Sequence, residues 1–225
     1  VFIAIHSFVE AGSARVLVDA ERLAGPATGG ARERFRVFSM ERWLSGGKDG
    51  WWEVFWIYNI AWGLGGLVLL IPALPTIALM IAFRDNPGAA VAMGCFGLIA
   101  IFALMFLVAI VVGMWSNRAI TEWAVHRAGV RDSLSGGWRA VKNDLGRHLL
   151  VALAILVVAF AGSTFFSSFS FIAAFGEAFS RNDGMVNLIT IPIRMIAWLF
   201  SSAFSALIGS WYMASYSALA VEGRS

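Results

Sequence analysis

A single cysteine, Cys95, stands among 225 residues. This excludes an internal disulfide and any thiolate metal cluster. Charge is scarce as well: Lys, Arg, Asp and Glu make up 14% of the chain, against about 25% in an average soluble domain. The H-E-x-x-H pair, the Gly-rich phosphate loop and the nucleophile elbow are all missing. The three histidines, His6, His126 and His148, sit on three separate segments, so no two share one helix as metal ligands would. The acids sit apart: Glu53 and Glu177 fall at the ends of apolar runs, and Glu10 is the deepest, five residues before Arg15. No chain of carboxylates crosses the middle of a span, which weakens an active ion transporter.

What is abundant is apolar surface. Hydrophobic residues make up 59% of the chain and mean hydropathy is +0.76, far on the membrane side of a soluble composition. A span needs about 20 apolar residues, so five spans with short connections use up the chain and leave no room for a soluble catalytic domain. The expected fold class is an all-α, polytopic transmembrane helix bundle forming one membrane domain over 1–225. The expected spans cover about 1–20, 51–83, 88–116, 146–176 and 190–219. Residue 1 is Val inside the apolar run "VFIAIHSFV", without the charged region and cleavage site of a signal peptide. It reads as the tail of a helix, making six spans the expectation for the native chain. Pro72 and Pro75 are expected to kink or break the second span. Pro192 is expected in the first turn of the fifth.

Basic residues set the orientation. Arg15, Arg22, Arg32, Arg34, Arg36, Arg42 and Lys48 fall in one long connection, and Arg118, Arg127, Arg131, Arg139, Lys142 and Arg147 in the other. The two short turns carry only Arg84 and Arg181. The positive-inside rule places both long connections and the C-terminus in the cytoplasm. Those connections contain amphipathic segments, 31–47 (with Phe35, Phe38 and Trp43) and 130–146 (with Leu134, Trp138, Val141 and Leu145). Basic aromatic segments of this kind lie in the headgroup interface or pack under the bundle.

The chain also echoes itself. "SARVLVDAERLAG" (13–25) is answered by "SNRAITEWAVHRAG" (116–129), and "SYSALAVEG" (215–223) reads as a shortened third copy. Ser-x-Arg, an acid, an Arg and Ala-Gly recur in the first two copies, and the third reaches only Glu222 and Gly223. The alternatives are a duplicated helical hairpin and coincidence in a chain rich in Ala, Arg and Gly, with duplication the expected one. Residues 116–162, the exit "SNRAITEWAVHRAGV" followed by "GGWRAVKNDLGRHLLVALAILV", resemble a loose group of uncharacterised bacterial six-helix membrane proteins. That group includes the membrane domain attached to some glycerophosphodiester phosphodiesterases. The resemblance implies a helical membrane fold and carries over no catalytic residue, because such a membrane domain lacks the phosphodiesterase's acidic metal site.

Several positions invite a functional reading beside a structural one. His6 could ligate a haem iron or a chlorophyll magnesium, or pack as a satisfied core residue; no cofactor or metal is expected. Arg194, two residues after Pro192, snorkels to an interface. Ser163, Thr164, Ser167, Ser168 and Ser170 could line a polar pocket, or back-bond to their own helix. In the fifth span Ser202, Ala206, Ser210, Ala214 and Ala218 recur every fourth residue, and Gly63 and Gly66 form a notch in the second; both patterns let another helix approach closely. The functional expectation is a non-catalytic structural or accessory subunit of a larger membrane assembly. The alternative is a lipid- or small-solute-handling transporter. Expected partners are other transmembrane subunits and anionic lipid headgroups at the basic segments, with no nucleic acid.

Overall fold

A computed structural model describes residues 2–24, 38–179 and 184–222. They form six helices: α1 (Phe2–Ala24), α2 (Met40–Ala82), α3 (Pro87–His126), α4 (Val130–Asn143), α5 (Leu145–Phe179) and α6 (Gly184–Glu222). No strand occurs among the described residues. Four helices are long and apolar enough to cross a membrane: α2, α3, and α5 and α6 over Leu145–Phe165 and Met195–Glu222. The expected first span, α1, is not one of them, for it carries Glu10, Arg15, Asp19, Glu21 and Arg22.

Two boundaries differ from the sequence expectation. The segment around Trp43 and the second apolar run fuse into one helix of 43 residues, which runs through Pro72 and Pro75 without interruption. The Thr76 hydroxyl donates to the Pro72 carbonyl at 2.6 Å, an additional bond in the turns where Pro72 and Pro75 each lack an N–H. Pro192 lies inside α6, because the helix starts at Gly184. The turn "RDNPG" is built as its residues direct. Asn86 caps α3 by accepting the Ala89 N–H at 3.2 Å, and Pro87 follows in the first turn, where its missing N–H costs nothing.

The chain divides into two compact units, 1–145 with 216–225, and 146–215. In the first unit, α1 packs on α2 and α3, and α4 packs on α3. Its buried core is confined to one end. It comprises Ala11, Ala14 and Val18 of α1, Val54, Ile57 and Ala61 of α2, and Ile120, Trp123 and Ala124 of α3, with Leu134 and Val141 of α4. Tyr216 and Ala220, at the end of α6, are buried in this unit too. Beyond Ala61 on α2 and before Val108 on α3, most large side chains are exposed, as at Leu67 (60%), Ile71 (69%), Phe96 (70%) and Ile99 (66%). The unit is therefore a packed helical head from which a bare two-helix hairpin projects. The roughly 22 residues from Ala61 to Ala82 give an arm about 33 Å long, close to the roughly 30 Å of a bilayer's hydrocarbon.

Glycines allow the close helix crossings in the head. A methyl group on Gly50 would overlap the ring of Trp123, one on Gly47 would meet the Phe8 ring at 2.7 Å, and one on Gly12 would meet the Trp43 carbonyl at 2.6 Å. On the hairpin, Gly65 lies against Val108 and Val112, and Gly97 against Thr76. In the second unit Gly162 of α5 receives the Phe204 ring of α6.

Candidate functional site

The echo noted in the sequence becomes geometry in the head. Ser13 and Ser116 sit inside α1 and α3, not at their ends, with the helices continuing to Ala24 and His126. In each copy the Arg pairs with the acid one turn on, Arg15 with Asp19 at 3.4 Å and Arg118 with Glu122 at 2.7 Å. Side chains four apart share one helix face, so both pairs can sit mid-helix. Each Arg also reaches a carbonyl of another helix: Arg15 donates to Ala124 O at 3.3 Å and Arg118 to Tyr216 O at 3.5 Å. Glu122 takes His126 on its other oxygen at 3.1 Å. These contacts tie charged groups into a largely buried network, where each needs its partner.

A second repeat escaped the sequence reading. "LSGG" occurs at 44–47 and again at 134–137. Gly46 packs against Arg15 and Gly12 of α1, and Gly137 against Ala119 of α3. Each tetrapeptide thus docks beside the Arg of its own echo. The signal was available as an identical four-residue string downstream of each Ser-x-Arg, although the spacing differs, from Ser13 to Leu44 in one copy and from Ser116 to Leu134 in the other.

At one side of the head the ends of three helices enclose a cavity of about 530 Å³. From α1 come Arg15, Asp19 and Arg22; from the first turns of α2 come Arg42, Ser45 and Asp49; Arg127 closes it from the end of α3. Four guanidinium groups against two carboxylates leave the lining with an excess of positive charge. Arg22 donates to Val125 O at 2.7 Å, and the Ser45 hydroxyl to Arg42 O at 3.0 Å. Arg127 occupies the left-handed region, φ 55° and ψ 30°, and caps α3 with its N–H on Trp123 O at 2.8 Å. It is the sole non-glycine residue with positive φ among the described residues, in a place that glycine ordinarily fills. Its guanidinium lies over the Trp123 ring, 5.1 Å from the centroid. Burial and the neighbouring Arg15 charge push the Arg127 pKa down, opposed by Asp49, Asp19 and Glu53. Among the described residues, no ion pair engages the guanidinium of Arg42 or Arg127.

The other residues named from the sequence fall elsewhere. His6 is exposed, with its Nε2 3.9 Å from Glu10 and its ring 5.3 Å from that of Tyr58. Among the described residues no group of three or more His, Cys, Asp and Glu could hold a metal ion. Thr164 donates to Phe160 O at 2.8 Å and Ser168 to Thr164 O at 2.9 Å, so these two hydroxyls satisfy their own helix; Ser163 and Ser167 are exposed. Gly63 and Gly66 face open space, and Gly65 between them makes the helix contact. Ser202, Ala206 and Ser210 are exposed on α6, with Ala214 and Ala218 half-buried. In the segment 130–146, Leu134 and Val141 are buried, while Trp138 is exposed and meets Trp115 edge-on at 5.7 Å. The side chains of Ser170, Glu177 and Arg194 lie outside the described set, as do residues Arg32, Arg34, Phe35, Arg36 and Arg181. No family model, no curated protein and no solved structure matches the chain.

Proposed function

We propose that the chain is a non-catalytic integral membrane protein of the bacterial inner membrane, serving as a structural or accessory subunit that packs in a larger membrane assembly. The observation that carries this reading is the division of unit one into a closed head and bare apolar arms. Residues such as Leu67, Ile71, Phe96 and Ile99 have no protein neighbours to cover them within the chain. The exposed small-residue stripe of Ser202, Ala206 and Ser210 on α6 suits close approach by a helix of another subunit. Exposed Trp51, Trp52, Trp56 and Trp62 mark the junction of head and hairpin, the level at which indole rings sit at a membrane–water boundary. In this reading the head lies on the cytoplasmic face. It arose by duplication of a helical hairpin, a history that the paired echoes and the paired "LSGG" strings support. The likeness to the phosphodiesterase-attached membrane domains belongs to the same proposal.

Extraction in mild detergent followed by measurement of the particle's mass tests the reading. A stoichiometric second protein is the expected result, and a folded chain that always migrates alone overturns it. The basic cavity favours a second reading, a protein that handles lipids or small anionic solutes. The same lone chain, active in moving a lipid or solute between vesicle compartments, establishes that reading instead.

A further inference from the structure

We infer that the cavity between α1, the start of α2 and the end of α3 is a binding site for a phosphate group, held chiefly by Arg42 and Arg127. The inference is independent of whether the chain has protein partners, because every lining residue belongs to one compact unit.

Three observations converge. The cavity, about 530 Å³, has room for a phosphate and the glycerol-sized group it is esterified to, within the usual range of ligand sites. Its cations are of unequal availability. Arg15 is committed to Asp19 and to Ala124 O, and Arg22 to Val125 O. These two are fixed parts of the wall. Arg42 and Arg127 enter from different helices and keep their guanidinium donors for something else. A planar guanidinium offers paired N–H groups matched to two oxygens of one phosphate, so two such groups from different helices can grip a tetrahedral anion. The third observation is the backbone at Arg127. A left-handed conformation is costly for a side-chain-bearing residue, and glycine would remove that cost. The strained arginine instead delivers a guanidinium to the cavity, steadied over the Trp123 face.

The two carboxylates shape the specificity. Asp19 is neutralised by Arg15, while Asp49 remains beside the anion's seat. A negative charge there disfavours a highly charged ligand such as a polyphosphate and suits a phosphate monoester or diester. Such a group could belong to a lipid headgroup or to a soluble phosphate compound.

The experiment uses the full chain and separates these sources. Detergent-purified protein is titrated calorimetrically with inorganic phosphate and with glycerol 3-phosphate. The same protein in nanodiscs of phosphatidylcholine, with or without phosphatidic acid, is assayed for retained lipid by native mass spectrometry. Binding of a phosphate-bearing probe is expected, weakened at least tenfold by Arg42→Gln with Arg127→Gly. The glycine variant suits the left-handed cap, so the fold is kept, and thermal unfolding at or above the parent's temperature verifies it. Arg139→Gln on α4, outside the cavity, should leave binding intact. Retention of phosphatidic acid without a response to the soluble probes assigns the site to a lipid headgroup; a response to glycerol 3-phosphate assigns it to a soluble ester. Failure of every probe to bind, or equal binding by the folded double variant, overturns the inference.

Discussion

Glycine and arginine organise the head at the scale of single residues. Gly50 has no room for even one carbon beside the Trp123 ring. Replacing it with Leu should lower stability by about 1–3 kcal/mol through overpacking, measured as thermal unfolding in detergent. Gly63→Ala and Gly66→Ala, where a methyl group meets open space, should instead raise stability by roughly 0.5–1 kcal/mol each, the gain in helix propensity. The Arg118–Glu122 pair obeys different physics, since the Arg118 side chain is 8% exposed and that of Glu122 16%. Arg118→Met leaves a carboxylate in a mostly dry site with only the half-exposed His126 beside it. The expected loss is about 3–5 kcal/mol, as for breaking other buried pairs. Adding Glu122→Gln should restore most of it; a double variant as unstable as the single one would contradict the ion-pair account. The arginines and acids of the echo were visible in the sequence as a pattern. Their partners were not, because a carbonyl such as Ala124 O or Tyr216 O leaves no mark in residue types.

At the scale of helices, α2 shows why some boundaries were hidden. "SGGKDG" has the composition of a loop, since glycine costs about 1 kcal/mol in a helix interior. Tertiary packing reverses that preference: Gly46, Gly47 and Gly50 each admit a side chain of α1 or α3, and the helix continues through all three. The hairpin's turn, by contrast, was legible from Asn86-Pro87 alone, because its capping is local. Within the hairpin, Gly97 abuts Thr76. Gly97→Leu should destabilise the α2–α3 crossing by about 1–3 kcal/mol, and Thr76→Ala should recover part of that loss by removing the overlapping atoms. A thermodynamic cycle on the two substitutions reads the coupling directly; strict additivity would mean that the two sites do not meet.

For the whole molecule, composition alone was enough to indicate a helical membrane protein, while the grouping of the core at one end was beyond reach. Apolar periodicity does not distinguish Val54, which is buried, from Val68, which is exposed; only the third dimension does. Orientation remains a statement about basic residues, and it has a direct test. With Cys95 changed to Ser, single cysteines at Asp85 and Ala128 fall beyond opposite ends of α3. A membrane-impermeant maleimide should label Asp85→Cys in intact cells and Ala128→Cys only after permeabilisation; the reverse pattern would invert the topology. The uninterrupted α2 also has a mechanical side. Its 43 residues make a rod about 65 Å long, running from the wall of the arginine cavity to the turn before Asn86. A tilt of about 5° at the cavity end moves the far tip by nearly a side chain's length, about 6 Å. In the proposed reading the helix is thus a lever arm, linking the cavity at one end to the hairpin turn at the other.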